Sequence, residues 1–374
     1  MLCTIIIEIL PHYTTLPVGR CELITSSKKE LMELSAYHPI SNLVTKVTPV
    51  AAPRYAAIDA HNHLETYKEG WPERPLSELL DVMDAVGLRA LIDLDGAWGE
   101  DLLERHLDLF KAKAPERFAM FGGVNWAAWP EHGNRFGEWA AERLRAQVRR
   151  GAQGLKVWKD FGLNVRDQND QRVRINDARM DPVWAAAGEL GVPVTAHIAD
   201  PVAFFLPLDS TNERWEELQA HPSWHFQSPP FPPFLSLMED FLEVMVRHPQ
   251  TTFIGAHVGC YAEDLGWMGQ AFERCPNFNI DFSARIAELG RQPYTARRFF
   301  MQYSDRILFG LDSGLKPDIY RIYYRFLESD DEYFDYSTAS TPPTGRWQIY
   351  GLYLPDDVLK KVYFQNAARI LRNP

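Results

Sequence analysis

Ile58-Asp59-Ala60-His61-Asn62-His63 ends the first regular apolar run of the chain, a candidate strand over Ala56–His63. Side chains alternate along a strand, so Asp59, His61 and His63 are expected on one face and Ile58 and Ala60 on the other. Two imidazoles then point the same way from the end of a buried strand. The arrangement recurs with one histidine in Val194-Thr195-Ala196-His197-Ile198 and in Ile254-Gly255-Ala256-His257-Val258. It recurs with a carboxylate in Leu308-Phe309-Gly310-Leu311-Asp312.

Working outward, further short apolar runs lie at Ala90–Leu94, Phe118–Val124, Gly154–Trp158, Val192–Ile198, Thr252–Val258, Phe278–Phe282 and Ile307–Leu311, which makes eight. Amphipathic stretches separate them: Leu76–Val86, Gly137–Arg149, Asp181–Leu190, Phe234–Arg247, Asp264–Arg274 and Tyr294–Tyr303. Strands alternating with helices imply right-handed crossovers and a parallel sheet. Eight repeats predict a (β/α)8 TIM barrel, with an open doubly wound sheet as the other architecture. No GxGxxG opens a helix after an early strand, which weakens the dinucleotide-binding form of the open sheet. In a barrel all the polar strand ends face one mouth, where active sites of this architecture lie. Residues 1–52, broken by Pro11, Pro17, Pro39 and Pro49, read as an N-terminal extension to a barrel domain over 53–374.

Composition narrows the function. The chain has 374 residues, 46% of them hydrophobic and 24% charged, the balance of a globular protein with a sizeable core. With 39 basic and 50 acidic residues the net charge is −11, which leaves no basic field for nucleic acid. Cys3, Cys21, Cys260 and Cys275 show no CxxC spacing and are too few for a disulfide framework, so a reducing, cytoplasmic setting is expected. Met1–Leu10 contains Glu8 and lacks a basic leading region, and no apolar stretch nears the roughly 20 residues that span a bilayer. Neither a signal peptide nor a membrane anchor is expected.

Several imidazoles and one carboxylate gathered at a mouth would leave polar groups unpaired unless something coordinates them, and a divalent metal does so. Nitrogen and oxygen donors with room for water suit catalytic zinc, while manganese, iron and nickel stay open. The ordered set HxH at His61/His63, His197, His257 and Asp312 resembles the amidohydrolase superfamily. It is most similar to the amidohydrolase-related branch that includes aminocarboxymuconate-semialdehyde decarboxylase-like enzymes. The resemblance implies that His61, His63, His197 and Asp312 are metal ligands, and that His257 is a catalytic histidine or a ligand to a second metal. Asp312 would also take and return a proton. Lys156 is expected to face the barrel interior. The resemblance permits a carbamate bridging two metals there, and the alternatives are an ion pair with Asp312 or a hold on a substrate carboxylate. One metal is the expectation. Lys159 reads as a surface charge.

The first functional reading is a hydrolase of an amide, ester or lactone in a small organic molecule, working through activated water. The alternative is a non-oxidative decarboxylase of an unsaturated or aromatic carboxylic acid. A binding protein without catalysis is disfavoured, because it has no use for a water-activating carboxylate. Arg285, alternating with Asp281 and Ser283, reads as a carboxylate fork at the mouth or as a salt bridge to Glu288. The aromatic, proline-rich connection after the fifth strand reads as a lid, or as a packed flap or homodimer contact. The acidic segment over 328–347 reads as a solvated insertion.

Overall fold

The structure, a computed structural model, describes residues 32–33, 36–37 and 40–371. The readings made on Met1–Leu10, Cys3 and Cys21 lie outside the described residues, as does most of the extension. The chain separates into two compact units, Met1–Val44 and Thr45–Pro374. The described residues of the first are exposed. The second carries the sheet, and its first residues are fixed by Thr48, which donates from its backbone N–H and its hydroxyl to Asp331, both at 2.6 Å.

Eight strands run in chain order: β1 (Ala57–Asn62), β2 (Leu88–Asp93), β3 (Phe118–Gly122), β4 (Gly154–Val157), β5 (Val194–Ala196), β6 (Phe253–Gly255), β7 (Phe278–Asp281) and β8 (Ile307–Leu308). Every neighbouring pair is parallel. The ring closes through two bonds between β1 and the chain leaving β8: Ala60 N–H to Phe309 O, and Asp312 N–H to His61 O, both 2.8 Å. This is the expected (β/α)8 barrel. Helices Leu76–Ala85, Phe136–Arg150, Asp181–Leu190, Phe234–Arg247, Leu265–Arg274 and Pro293–Gln302 match the amphipathic stretches to within a residue at each end. Among the described residues no helix is long and apolar enough to cross a membrane.

The core has two parts. Leu155, Val157, Val194, Phe253, Ile280 and their neighbours pack between the sheet and the helices. Ile58, Ala60, Ile92, Phe121, Ile254 and Leu308 fill the barrel's interior. Lys156, between Leu155 and Val157, therefore points inward, as alternation requires.

Alternation fails at one place that matters. The pairing register of β1 slips between Asp59 and Asn62, so Asp59 does not share a face with His61 and His63. It braces the barrel instead, accepting from the N–H groups of His61 (3.0 Å) and Leu311 (3.2 Å) and from the Tyr320 hydroxyl (2.6 Å). The connection after β5 is also more ordered than a bare loop. It holds short helical segments at Val202–Phe205, Trp215–Ala220 and Pro222–Trp224, with Phe204, Phe205 and Phe226 buried.

Candidate metal centre

The polar strand ends meet at the carboxyl mouth. His61 lies in β1, and His63, His257 and Asp312 lie just past their strands, where the chain turns over the opening. Gly310 makes room for this, since a Cβ there would come within 3.0 Å of the His61 Cβ. Two of these residues, His257 at φ 59° and Asp312 at φ 55°, sit in the left-handed backbone region that side chains disfavour, and so does Ala284 (φ 53°) just past β7. Strain of this kind concentrates where geometry is held for function.

The hydrogen bonds fix which ring nitrogens are free. Carboxylate and carbonyl oxygens only accept, so their histidine partners must donate. His61 Nδ1 donates to Asp281 (3.0 Å), His63 Nδ1 to Asp95 (2.8 Å) and His257 Nδ1 to the Ser283 carbonyl (2.9 Å). That leaves three Nε2 atoms turned toward Asp312. The Nε2 atoms of His61 and His63 each lie 3.6 Å, and that of His257 3.5 Å, from the nearer Asp312 carboxylate oxygen. The Tyr67 hydroxyl donates to the same carboxylate.

Burial pushes the His61 and His257 imidazolium forms down, with Lys156 adding to the effect at His61 and His197 and Arg285 at His257. Both rings are therefore neutral. Burial opposes ionisation of Asp312, but His61, His257, His63 and the Tyr67 hydroxyl outweigh it and hold the carboxyl well below its usual range. Neutral imidazole nitrogens and an ionised carboxylate thus face one another, the carboxylate bonded to the Tyr67 hydroxyl and His61 Nε2 approached at 3.4 Å by the Lys156 ammonium. Convergent imidazole nitrogens around one ionised carboxylate are the donor set of a divalent metal, and the residues fit one on that ground. The ligand atoms of His61, His63 and Asp312 lie within 4.8 Å of one another, and so do those of His61, His257 and Asp281.

His197 stands beside these groups without joining them. Its ring packs on His257 (4.4 Å) and on Trp158 (4.7 Å), its Nε2 donates to Asp200 at 3.3 Å, and its buried Nδ1 has no partner. Burial pushes its pKa down to about 3. Lys156 is buried, with Nζ 3.4 Å from His61 Nε2, and burial lowers its pKa to about 8. Lys159 is not the surface charge expected, because it is largely covered and paired with Asp200. Glu288 is taken by Arg214, so the salt bridge considered for Arg285 does not form. Arg285 is buried and donates from Nη1 to Ala284 O (2.8 Å), while its Nε has no partner.

Two residues that orient the centre escaped the sequence reading. Asp95 supports His63, and its nearness to Asp93 past the second strand is the one signal that could have marked it. Tyr67 supports Asp312 from the connection after β1, and nothing local announces it.

A (β/α)8 barrel with a histidine and aspartate centre at its carboxyl mouth defines the class of protein. The amidohydrolase family profile matches residues 58–372, and the chain belongs to that family. No curated protein matches. Among solved structures, 2,6-dihydroxybenzoate decarboxylase from Rhizobium is similar at 18% identity, over 85% of this chain and 99% of that one, with a TM-score of 0.51. Dihydroxybenzoic acid decarboxylase from Polaromonas sp. JS666, with bound manganese and 2-nitroresorcinol, is similar at 17% identity, over 85% and 97%, with a TM-score of 0.52. So is 5-carboxyvanillate decarboxylase from Novosphingobium aromaticivorans, with manganese and 4-hydroxy-3-methoxy-5-nitrobenzoic acid, at 14% identity, over 87% and 100%, with a TM-score of 0.50. These relatives correct the first functional reading. They are decarboxylases and none is a hydrolase, which overturns hydrolysis as the first reading. A divalent metal is supported, whereas zinc in particular is not, manganese being the metal named in two of them.

Proposed function

We propose that the chain is a metal-dependent, non-oxidative decarboxylase of an aromatic or unsaturated carboxylic acid. The observation that carries this reading is Arg285, a buried guanidinium with an unpartnered N–H, close enough to His257 for its charge to disfavour protonation of that ring. A guanidinium held this way suits a carboxylate, for which hydrolysis of a neutral amide or ester has no need. The relatives' reactions support the same choice.

His61, His63 and Asp312 would hold the metal, with His197 completing the set by turning its free nitrogen inward. When bound, the metal supplies Lewis-acid polarisation of a substrate oxygen. The protein's part is to move a proton. Breaking the bond to the carboxylate carbon leaves its electron pair on the ring or chain carbon, which must take a proton as carbon dioxide departs. Asp312, ionised, bonded to Tyr67 and facing three imidazoles, is placed to take a proton from a water at the mouth and deliver it to that carbon, with neutral His257 beside it able to relay the proton through Nε2. Lys156 and Arg285 supply the positive charge that holds the substrate's carboxylate before cleavage. Manganese is the metal to load first. Small-molecule turnover in the cytoplasm, a homodimeric assembly, and an extension over 1–52 whose last residues brace the barrel domain of 53–374 complete the proposal.

The test is carbon dioxide release from a panel of hydroxylated benzoates by manganese-loaded protein. Asp312→Asn and His257→Ala are expected to lower it by about 10²–10⁴-fold. His257→Ala should keep its metal and Asp312→Asn should lose it. Turnover of esters or lactones with no carbon dioxide from any acid would overturn the reading.

A further inference from the structure

A second cavity opens at the same mouth over the ends of β2, β3 and β4. It is a cleft of about 740 Å³ whose walls include Trp98, Trp126 and Trp158. Two of these indoles bear directly on the centre. Trp158 packs its edge on His197 (4.7 Å) and meets Trp98 at 5.0 Å. Trp98 donates from Nε1 to Thr66 (3.0 Å) and to Asp95 (3.2 Å), the carboxylate that orients His63. The cleft and the metal centre are thus one side chain apart.

Trp98 is anchored at its polar end and yet leaves 46% of its surface in water. An indole fixed in place and half uncovered on the wall of a cavity presents an aromatic face ready for a ligand. Charge narrows what that ligand is. The lining includes three carboxylates, Glu100, Asp101 and Asp160, against one guanidinium, Arg143, which is itself committed to Glu100. An anion entering here meets net negative charge, whereas an uncharged ring meets four indoles, Trp139 being the fourth.

We propose that this cleft receives a second, uncharged aromatic ring of the substrate, joined to the carboxylate-bearing part at the centre. The substrate class is then a two-ring aromatic acid. The inference rests on the decarboxylase reading for its acid end, but the ring site can be tested without turnover.

The experiment is isothermal titration of the full chain with 2-naphthol and with naphthalene-2-sulfonate. Saturable binding of 2-naphthol is expected, weakened about tenfold or more in Trp98→Ala and Trp126→Ala. Trp215→Ala, at an exposed indole that does not line the cleft, should bind as the unaltered chain does. The sulfonate should bind more weakly than 2-naphthol, and Asp101→Arg, an exposed change that leaves the packing alone, should narrow that gap. Unsaturable binding, or equal affinity in both cleft variants, overturns the ring site whatever the reaction. Tighter binding of the sulfonate overturns it as well. Weakened binding in the cleft variants, with no carbon dioxide from any acid, keeps the ring site and removes only the decarboxylase reading.

Discussion

Asp95 sits behind His63, and its carboxylate accepts the Nδ1 proton while also holding Thr66 and Trp98. Removing it would free the ring to rotate and to change tautomer, so that Nε2 no longer points at Asp312 for certain. Loss of such a supporting partner typically costs roughly 10–100-fold in metal affinity. Asp95→Ala is therefore expected to weaken metal binding by that factor with the barrel intact, as read by metal titration alongside circular dichroism. Unchanged affinity would reassign Asp95 to holding Thr66 and Trp98 alone. At this scale the sequence was legible where a side chain's role follows from its own strand. The spacing of His61 and His63 marked both. It could mark Asp95 only by its nearness to Asp93 and Tyr67 not at all, since their roles depend on where a neighbouring connection folds back, and it misplaced Asp59, because a register slip is not written in a hydrophobic pattern.

Among the elements, the acidic segment that follows helix Pro317–Glu328 shows how composition can mislead. Its charges suggested solvation, yet Asp331, Phe334 and Tyr336 are buried and Phe334 forms a bridge with Ile349. The carboxylate of Asp331 takes both donors of Thr48 and the Nε of Arg325 at 2.7 Å. Thr48 lies far away in sequence, so no local reading could find the pairing. Burial raises the Asp331 pKa, but Thr48 and Arg325 outweigh it and the net shift is downward. A carboxyl with a depressed folded-state pKa contributes stability above its unfolded value, and that contribution is lost as pH falls through the folded value. Asp331→Asn should then cost about 1.5–3 kcal/mol at pH 7, with the difference from the unaltered chain shrinking below about pH 4. Denaturant midpoints measured at several pH values check this, and a pH-independent difference would mean that packing rather than charge holds the segment.

For the whole molecule, the architecture could be read because repetition is a long-range signal carried by local patterns. Eight apolar runs each forecast a strand, and a parallel ring of them allows only one mouth. The reaction could not be read the same way, since hydrolysis and decarboxylation draw on the same donors and differ in what else reaches the opening. Arg285 reaches it from the turn after β7, and the residue before it carries the load. Ala284 holds φ 53° while its N–H bonds the Tyr323 hydroxyl (2.8 Å), and its side chain is exposed. A left-handed alanine costs about 1–2 kcal/mol, part of which glycine would return after its larger unfolded-state entropy is subtracted. Ala284→Gly is accordingly expected to raise stability by about 0.5–1 kcal/mol and to raise KM for the acid as Arg285 loosens, checked by melting temperature and steady-state kinetics on one preparation. If the chain captures an acid as proposed, heat tolerance and tight capture would pull position 284 in opposite directions, and one left-handed alanine would trade the first for the second.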